Sequence, residues 1–289
     1  MRRTIKVTLQ DLVKTYEKRV ISLGKEPHAM SWLITELSGY SPTEFYLKMN
    51  SKVSEELINK IEDGFKRYAI EGTPVQHIVG YSYFYGYKFK VSDQVLIPRR
   101  ETEQLVEETL LIYDTYFEDQ KVDVLDLGTG SGAIAITLSI EEPNMQVEAS
   151  DISVTALMVA RENQLNLSSK VNFIASDWFS NINKKYDIIV ANPPYIPNDE
   201  AVEDVVTKEP SLALYGGVDG LEPYEIILKN AKNYLKEKAL IAFEHSMYQS
   251  ENLKTLILKY FKDAKVRQLK DLQGKDRMTF VGLGGVFND

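Results

Sequence analysis

Asn192-Pro193-Pro194-Tyr195 closes an apolar run, Tyr186-Asp187-Ile188-Ile189-Val190-Ala191. The run has the residue types of a buried strand, and the prolines end it, because each fixes φ and supplies no ladder donor. Ligands collect beyond strand ends in α/β sheets. The Asn192 side-chain oxygen and the carbonyl oxygens freed by Pro193 and Pro194 can accept the hydrogens of a planar amino group, and the Tyr195 ring can stack on it. These four residues form the candidate catalytic and substrate-binding set for alkylating a poorly nucleophilic NH2.

A second constellation lies upstream. Val124-Leu125-Asp126-Leu127-Gly128-Thr129-Gly130-Ser131-Gly132 reads as a strand, a glycine turn and a helix start. Glycines let a backbone adopt positive φ and come close to a ligand. Alone, such a turn also serves dinucleotide sites and structural corners. Its context narrows the reading. Some 20 residues on, the next strand ends in Asp151, the position that holds ribose hydroxyls. The strand after that ends in Asp177-Trp178, an acid beside an indole, suited to an adenine amino group and ring face. No Lys follows the glycines, as a phosphate cradle requires, and the Gly-x-Gly-x-x-Gly spacing is missing. Asp126 disfavours a pyrophosphate. A cofactor with a cationic centre, such as the sulfonium of S-adenosylmethionine, suits an acidic and aromatic pocket. The candidate cofactor residues are Asp126, Gly128, Thr129, Gly130, Ser131, Gly132, Asp151, Asp177, Trp178 and Asn192.

The elements that must carry these residues follow from periodicity. Residues 1–72 read as a helical bundle. Thr8 caps a helix with Leu9, Leu12, Val13, Tyr16 and Val20 on one face. Ser41-Pro42-Thr43-Glu44 has the form of a capping box, and Ser54 caps a helix striped by Leu57, Ile61, Phe65 and Tyr68. Residues 73–98, rich in Tyr, Phe and Val with a turn at Gly86, read as a β-hairpin linker. Residues 99–289 open on a helix and then alternate strands (123–127, 146–150, 171–175, 186–191, 238–244, 265–270, 277–283) with helices. That pattern predicts an α/β fold with a doubly wound, mostly parallel seven-stranded sheet, the last two strands forming an antiparallel pair at one edge. Lys229 to Lys238, with Ala231, Tyr234 and Leu235 as its apolar positions, is expected to be a helix with a solvated outer face.

Composition sets the limits. The 289 residues carry 34 Lys+Arg against 42 Asp+Glu, a net charge of -8, which disfavours a free-standing nucleic-acid binder. With no cysteine, thiolate catalysis, disulfides and Cys-ligated metal are ruled out. His28, His77 and His245 lack metal-ligand spacing, so no metal is expected. Met1-Arg2-Arg3 has the charge of a leader but no apolar stretch after it. The expectation is a cytoplasmic, monomeric protein with neither a membrane nor a stable nucleic-acid partner.

Together these residues resemble the release-factor glutamine methyltransferase family (HemK/PrmC), a class I S-adenosylmethionine-dependent group. The similarity runs through Gln76-His77-Ile78-Val79-Gly80, Phe84-Tyr85-Gly86, Ile97-Pro98-Arg99-Arg100-Glu101-Thr102-Glu103 and the glycine turn. It continues through Asn192 to Tyr195, Glu209-Pro210 with Tyr215 to Leu221, and Asp271 to Arg277. The resemblance implies transfer of a methyl group to the side-chain amide nitrogen of the glutamine in the Gly-Gly-Gln motif of peptide chain release factors. It implies that the helical region grips the release factor while residues 99–289 perform the transfer. The chain departs from the family at Arg100, usually Pro, and at Glu244-His245-Ser246, where a glycine usually follows the acid.

Phe84 is placed as a wall of the substrate pocket, with hairpin core the alternative for it and for Tyr85. Arg99 and Glu101 are candidates for orienting a loop over the site, or for surface and capping roles. Rival functions are glutamine methylation of a ribosomal protein, adenine-N6 methylation of nucleic acid by base flipping, and a non-catalytic binding module.

Overall fold

The computed structural model describes residues 7–288; Met1-Arg2-Arg3 lies outside them. The chain divides into two compact units. One runs through Tyr81 and includes Glu203–Lys208; the other comprises Ser82–Val202 and Glu209 onward. The segment 73–98, expected as a separate linker, is therefore shared between them.

The first unit is helical: α1 (Leu9–Ser22), α2 (Pro27–Ser38), α3 (Pro42–Leu47), α4 (Glu55–Phe65), a π-helical turn Lys66–Ile70, and α5 (Val75–Val79). The caps stand where the sequence places them. Thr8 and Asp11 form a capping box on α1, Ser41 and Glu44 another on α3, and the Ser54 hydroxyl accepts the Leu57 N–H on α4. Leu9, Leu12, Val13, Tyr16 and Val20 are the buried stripe of α1. They pack with Met30, Leu33, Ile34, Ile61 and Phe65 into one core.

The second unit starts at Ser82, within the short hairpin β1 (Tyr81–Phe84) and β2 (Tyr87–Lys90). It continues with α6 (Arg100–Phe117), β3 (Val122–Leu127), α7 (Ala133–Glu141), β4 (Met145–Asp151), α8 (Val154–Leu167), β5 (Asn172–Ala175) and β6 (Tyr186–Ala191). It ends with α9 (Glu222–Ala231), β7 (Leu235–Glu244), α10 (Ser250–Tyr260), β8 (Lys265–Lys270) and β9 (Asp276–Leu283). Seven strands form one sheet in the order β5-β4-β3-β6-β7-β9-β8. All pairings are parallel except those of β9, which runs antiparallel to both β7 and β8.

Alternation along the strands sends successive side chains to opposite faces. Val124, Ile188, Val190, Leu240 and Phe280 pack under α6, α7 and α8. Leu125, Ile189, Ile241, Phe243 and Val281 pack under α9 and α10. Strand order reverses between β3 and β6, which opens a crevice at their C-terminal ends.

The expected helix across Lys229–Lys238 is not formed. α9 stops at Ala231, and Leu235 already pairs with Tyr186 as the first residue of β7. Apolar residues three or four apart in ten positions mimic helix period, and the open edge of β6 offered the segment a ladder instead.

Candidate active site

The glycine turn joins β3 to α7. Gly128 and Gly130 have φ of +74° and +55°. A Cβ built on either would meet nothing within 4 Å, so their bare side opens onto free space. The backbone N–H groups of Gly128 and Thr129 both bond to the Ser150 carbonyl at 2.9 Å, locking the turn to the end of β4. Asp151 completes the lock: one carboxylate oxygen accepts the Gly130 N–H and the other the Ser153 N–H, each at 2.8 Å. Burial nevertheless pushes its carboxyl above the ordinary range.

Asp126 lies beneath this turn, fully buried. One oxygen accepts the Thr129 hydroxyl at 2.7 Å; the other has no hydrogen-bond partner among the described residues. Burial pushes its carboxyl up to about 7, with Asp151 adding to the rise and the Thr129 hydroxyl opposing it. A buried acid that lacks a partner at one oxygen, under a turn with open space above it, suits a cationic ligand.

A cavity of about 220 Å³ occupies the crevice. Of the sequence candidates, Gly128, Gly130, Asp151, Asp177, Trp178, Asn192 and Pro194 line it. Trp178 is held at φ +45°, where the Ser176 hydroxyl donates to its carbonyl at 2.9 Å. Asp126, Thr129, Ser131 and Gly132 lie below the lining as its support. Ser131 offers its carbonyl to the Asn163 amide at 2.9 Å, and a Cβ on Gly132 would crowd Ile136 at 2.9 Å. Residues not foreseen complete the walls: Gln94, Val95 and Leu96 before α6, Ile152 and Ala156 after β4, and Pro210, Leu212 and Ala213. Ile152 was detectable as the apolar residue directly after a strand-end acid. Ala156 lies in the first turn of α8, Leu212 and Ala213 in a single 3-10 turn, and 94–96 in a loop, stretches too short or too irregular for periodicity to mark them.

Asn192 follows β6 directly, and its amide nitrogen donates to the Thr102 hydroxyl at 3.2 Å. Thr102, in the first turn of α6, is almost fully buried beside Glu244 at the end of β7. Burial pushes the Glu244 carboxyl up to about 7, while the Thr102 hydroxyl and Arg277 pull it down. Pro193 is buried and Tyr195 half-buried, and neither lines the cavity. The Tyr195 ring packs against the core under α9 and α10, and burial raises its phenol to about 12.

The loop after Asn192 is clamped from behind. Ile196 and Tyr215 form a parallel bridge, and the Gln249 amide donates to the carbonyls of Tyr195 at 2.9 Å and Asp219 at 3.1 Å. The glycines of Tyr215-Gly216-Gly217-Val218-Asp219-Gly220 are needed for close approach. A Cβ on Gly216 would fall 2.3 Å from the Pro194 carbonyl oxygen, and one on Gly220 would fall 2.1 Å from that of Tyr195.

Phe84 does not wall a substrate pocket. It is fully buried, edge-on to Phe89 at 5.9 Å, within the core under α6 and α7. Its position on the inner face of a two-stranded hairpin leaves the ring no path to a ligand. The two departures are accommodated locally. Arg100 is the first residue of α6, where proline is favoured but an exposed Arg fits equally. His245 is buried, with one ring nitrogen 2.8 Å from the Thr279 hydroxyl and the other 2.9 Å from the Ser246 carbonyl. Among the described residues, the acidic group Asp114, Asp119 and Glu142 lies away from the cavity lining. No helix there is long and apolar enough to cross a membrane.

Comparison with known proteins finds relatives along most of the chain. Residues 11–80 match the PrmC N-terminal domain and residues 105–210 the methyltransferase small domain. Release factor glutamine methyltransferases from Streptococcus pneumoniae and Bacillus subtilis are 39% and 40% identical to the chain. Their matches span 96% and 93% of it, and 99% and 96% of the relatives. A methyltransferase of Pyrococcus furiosus shares the fold, with a TM-score of 0.51 at 17% identity over 81% of this chain and all of that one.

Proposed function

Because the chain belongs to the release factor glutamine methyltransferase family, we propose that the Asn192–Tyr195 corner holds the glutamine of a release factor's Gly-Gly-Gln motif beside the glycine-turn cavity. The protein is an S-adenosylmethionine-dependent protein-glutamine methyltransferase. The cofactor supplies a methyl group activated by its positive sulfur. Gly128, Gly130, Asp151, Asp177 and Trp178 would hold it, with Asp126 supporting the turn from beneath.

The observation that carries the site assignment is that Asn192 and Pro194 line the same cavity as Gly128, Gly130 and Asp151. A carboxamide nitrogen is a weak nucleophile because its lone pair is delocalised. The Asn192 side-chain oxygen and the Pro193 carbonyl each accept one amide hydrogen, which turns the remaining electrons toward the methyl donor. The Asn192 amide nitrogen is occupied by Thr102, so its oxygen is the atom left for substrate. Tyr195, with its phenol raised to about 12, keeps its proton at neutral pH and takes no part as a base. Its ring and the two prolines stiffen the corner. Catalysis is alignment at a near-attack distance of about 3–3.5 Å: the N–C bond would form as the S–CH3 bond breaks, the sulfur keeping the pair and leaving as a neutral thioether, and the nitrogen's proton would then pass to water.

The helical unit contributes the grip on the release factor, and the working state is a cytoplasmic monomer without a nucleic-acid partner. The test is methyl-labelled cofactor with purified release factors, ribosomal proteins and nucleic acid, followed by mass mapping of the label. Label on the Gly-Gly-Gln glutamine supports the reading; label on adenine or on a ribosomal protein refutes it. Asn192→Ala is expected to lower kcat about 100-fold or more with cofactor Kd within about 3-fold. Near-normal turnover in that variant removes Asn192 from this role.

A further inference from the structure

Two walls of the cofactor cavity lie outside the strands and α-helices of the sheet unit, one in a loop and one around the 3-10 turn Ser211–Ala213. Gln94, Val95 and Leu96 form one; Pro210, Leu212 and Ala213 form the other. Their apolar side chains do not lock together, since Leu212 remains 59% exposed. What ties the two segments is one carboxylate. Glu209 accepts the Ile97 N–H at 2.9 Å on one oxygen and bonds the Arg99 guanidinium with the other. Its side chain is only 2% exposed. Pro98, between the two donors, has no N–H to offer, so both bonds from this stretch converge on Glu209.

We propose that Glu209, clasped by Ile97 and Arg99, is a positioning residue for cofactor binding, holding the 94–96 and 210–213 walls at the spacing that S-adenosylmethionine requires. The inference rests on the assignment of this cavity to the cofactor. It also gives Arg99 a definite role, because the guanidinium charge stabilises a carboxylate that could not otherwise stay buried. The clasp is also selective in what it moves. It lies at the cofactor walls, whereas Asn192 is held separately by Thr102 and the loop behind it by Gln249.

Glu209→Gln is nearly isosteric but has one acceptor oxygen in place of two, so its NH2 must face either the guanidinium or the Ile97 N–H, donor against donor. Losing one charge-assisted bond predicts a rise in cofactor Kd of about 10-fold or more, read by titration calorimetry. Arg99→Met, which leaves the Ile97 bond in place, is expected to weaken cofactor binding in the same direction. In turnover, the rise in KM for the cofactor exceeds both the change in KM for the release factor and any fall in kcat. A merely structural defect would raise both KM values together and lower Tm. That pattern, or an unchanged cofactor Kd in folded Glu209→Gln and Arg99→Met, overturns the proposal. A wild-type protein that binds cofactor but leaves release factors unmethylated refutes the function above, while calorimetry on the variants still decides the clasp.

Discussion

Asn192 illustrates what a single side chain needs in order to act. A carboxamide presents two similar ends, and only one can accept hydrogens from a substrate amide. The Thr102 hydroxyl, 3.2 Å from the Asn192 nitrogen, decides which end is free. Thr102→Val keeps the shape and removes that acceptor. It is expected to lower kcat about 10-fold, with Thr102→Ser restoring most of it and cofactor Kd unaffected in both. Equal activity in the Val and Ser variants would show that Asn192 is oriented by something else. The residue types at the corner were legible in the sequence. Thr102 was visible only as part of the segment around Pro98 to Glu103, because its partner lies 90 positions away. Phe84 shows the converse error: an aromatic residue near a suspected site is most often core, and only its burial distinguishes the two.

At the scale of elements, the glycine turn is held by parts the motif does not contain. Asn163, fully buried on α8, donates to the carbonyls of Lys90 at 3.0 Å and Ser131 at 2.9 Å and accepts the Lys90 N–H at 2.7 Å. One amide thus fastens β2, α8 and the glycine turn together. Asn163→Ala removes the partner of the Lys90 N–H and of the Lys90 and Ser131 carbonyls, the last of them buried, and is expected to cost about 1–3 kcal/mol. A denaturant titration checks it; a loss under about 0.5 kcal/mol would mean that water or a shifted backbone replaces the knot. Strands such as Tyr186–Ala191 were readable as short apolar runs ended by turn residues, a length too short for a buried helix. The 229–238 stretch was misread because ten residues hold too few turns of either period to choose between them.

For the molecule as a whole, Asp126 and Glu244 set a pH dependence of stability. Both carboxyls are raised to about 7 in the fold, from 3.8 and 4.5. Between those values and 7 the folded chain keeps protons that the unfolded chain has lost. Their joint contribution therefore falls as pH rises through that window and levels off above it. Glu62, drawn down to about 2 chiefly by its hydrogen bond with Arg19, acts oppositely, and its contribution is lost as pH drops below 4.5. The double variant Asp126→Asn/Glu244→Gln, free of cofactor, should gain stability relative to wild type on going from pH 5 to pH 8, by roughly 2 kcal/mol or more. Denaturant midpoints at the two pH values measure this. A wild-type slope retained in the variant would locate the titrating groups elsewhere.

The amino-acid order alone determined the caps of the helical unit, the alternation that makes the sheet, the glycine turn, and the proline-ended corner. Each rests on residues within a few positions of one another, where backbone sterics and local hydrogen bonds decide. Tertiary structure decided which residues face the cavity and which hold them there. Asp126 becomes a support and not a lining residue, the Phe84 ring turns inward, and Glu209, Thr102, Asn163 and Gln249 find partners far along the chain. Those assignments depend on burial and on hydrogen bonds between distant segments, which exist only once the sheet has brought the ends of β3, β4 and β6 side by side.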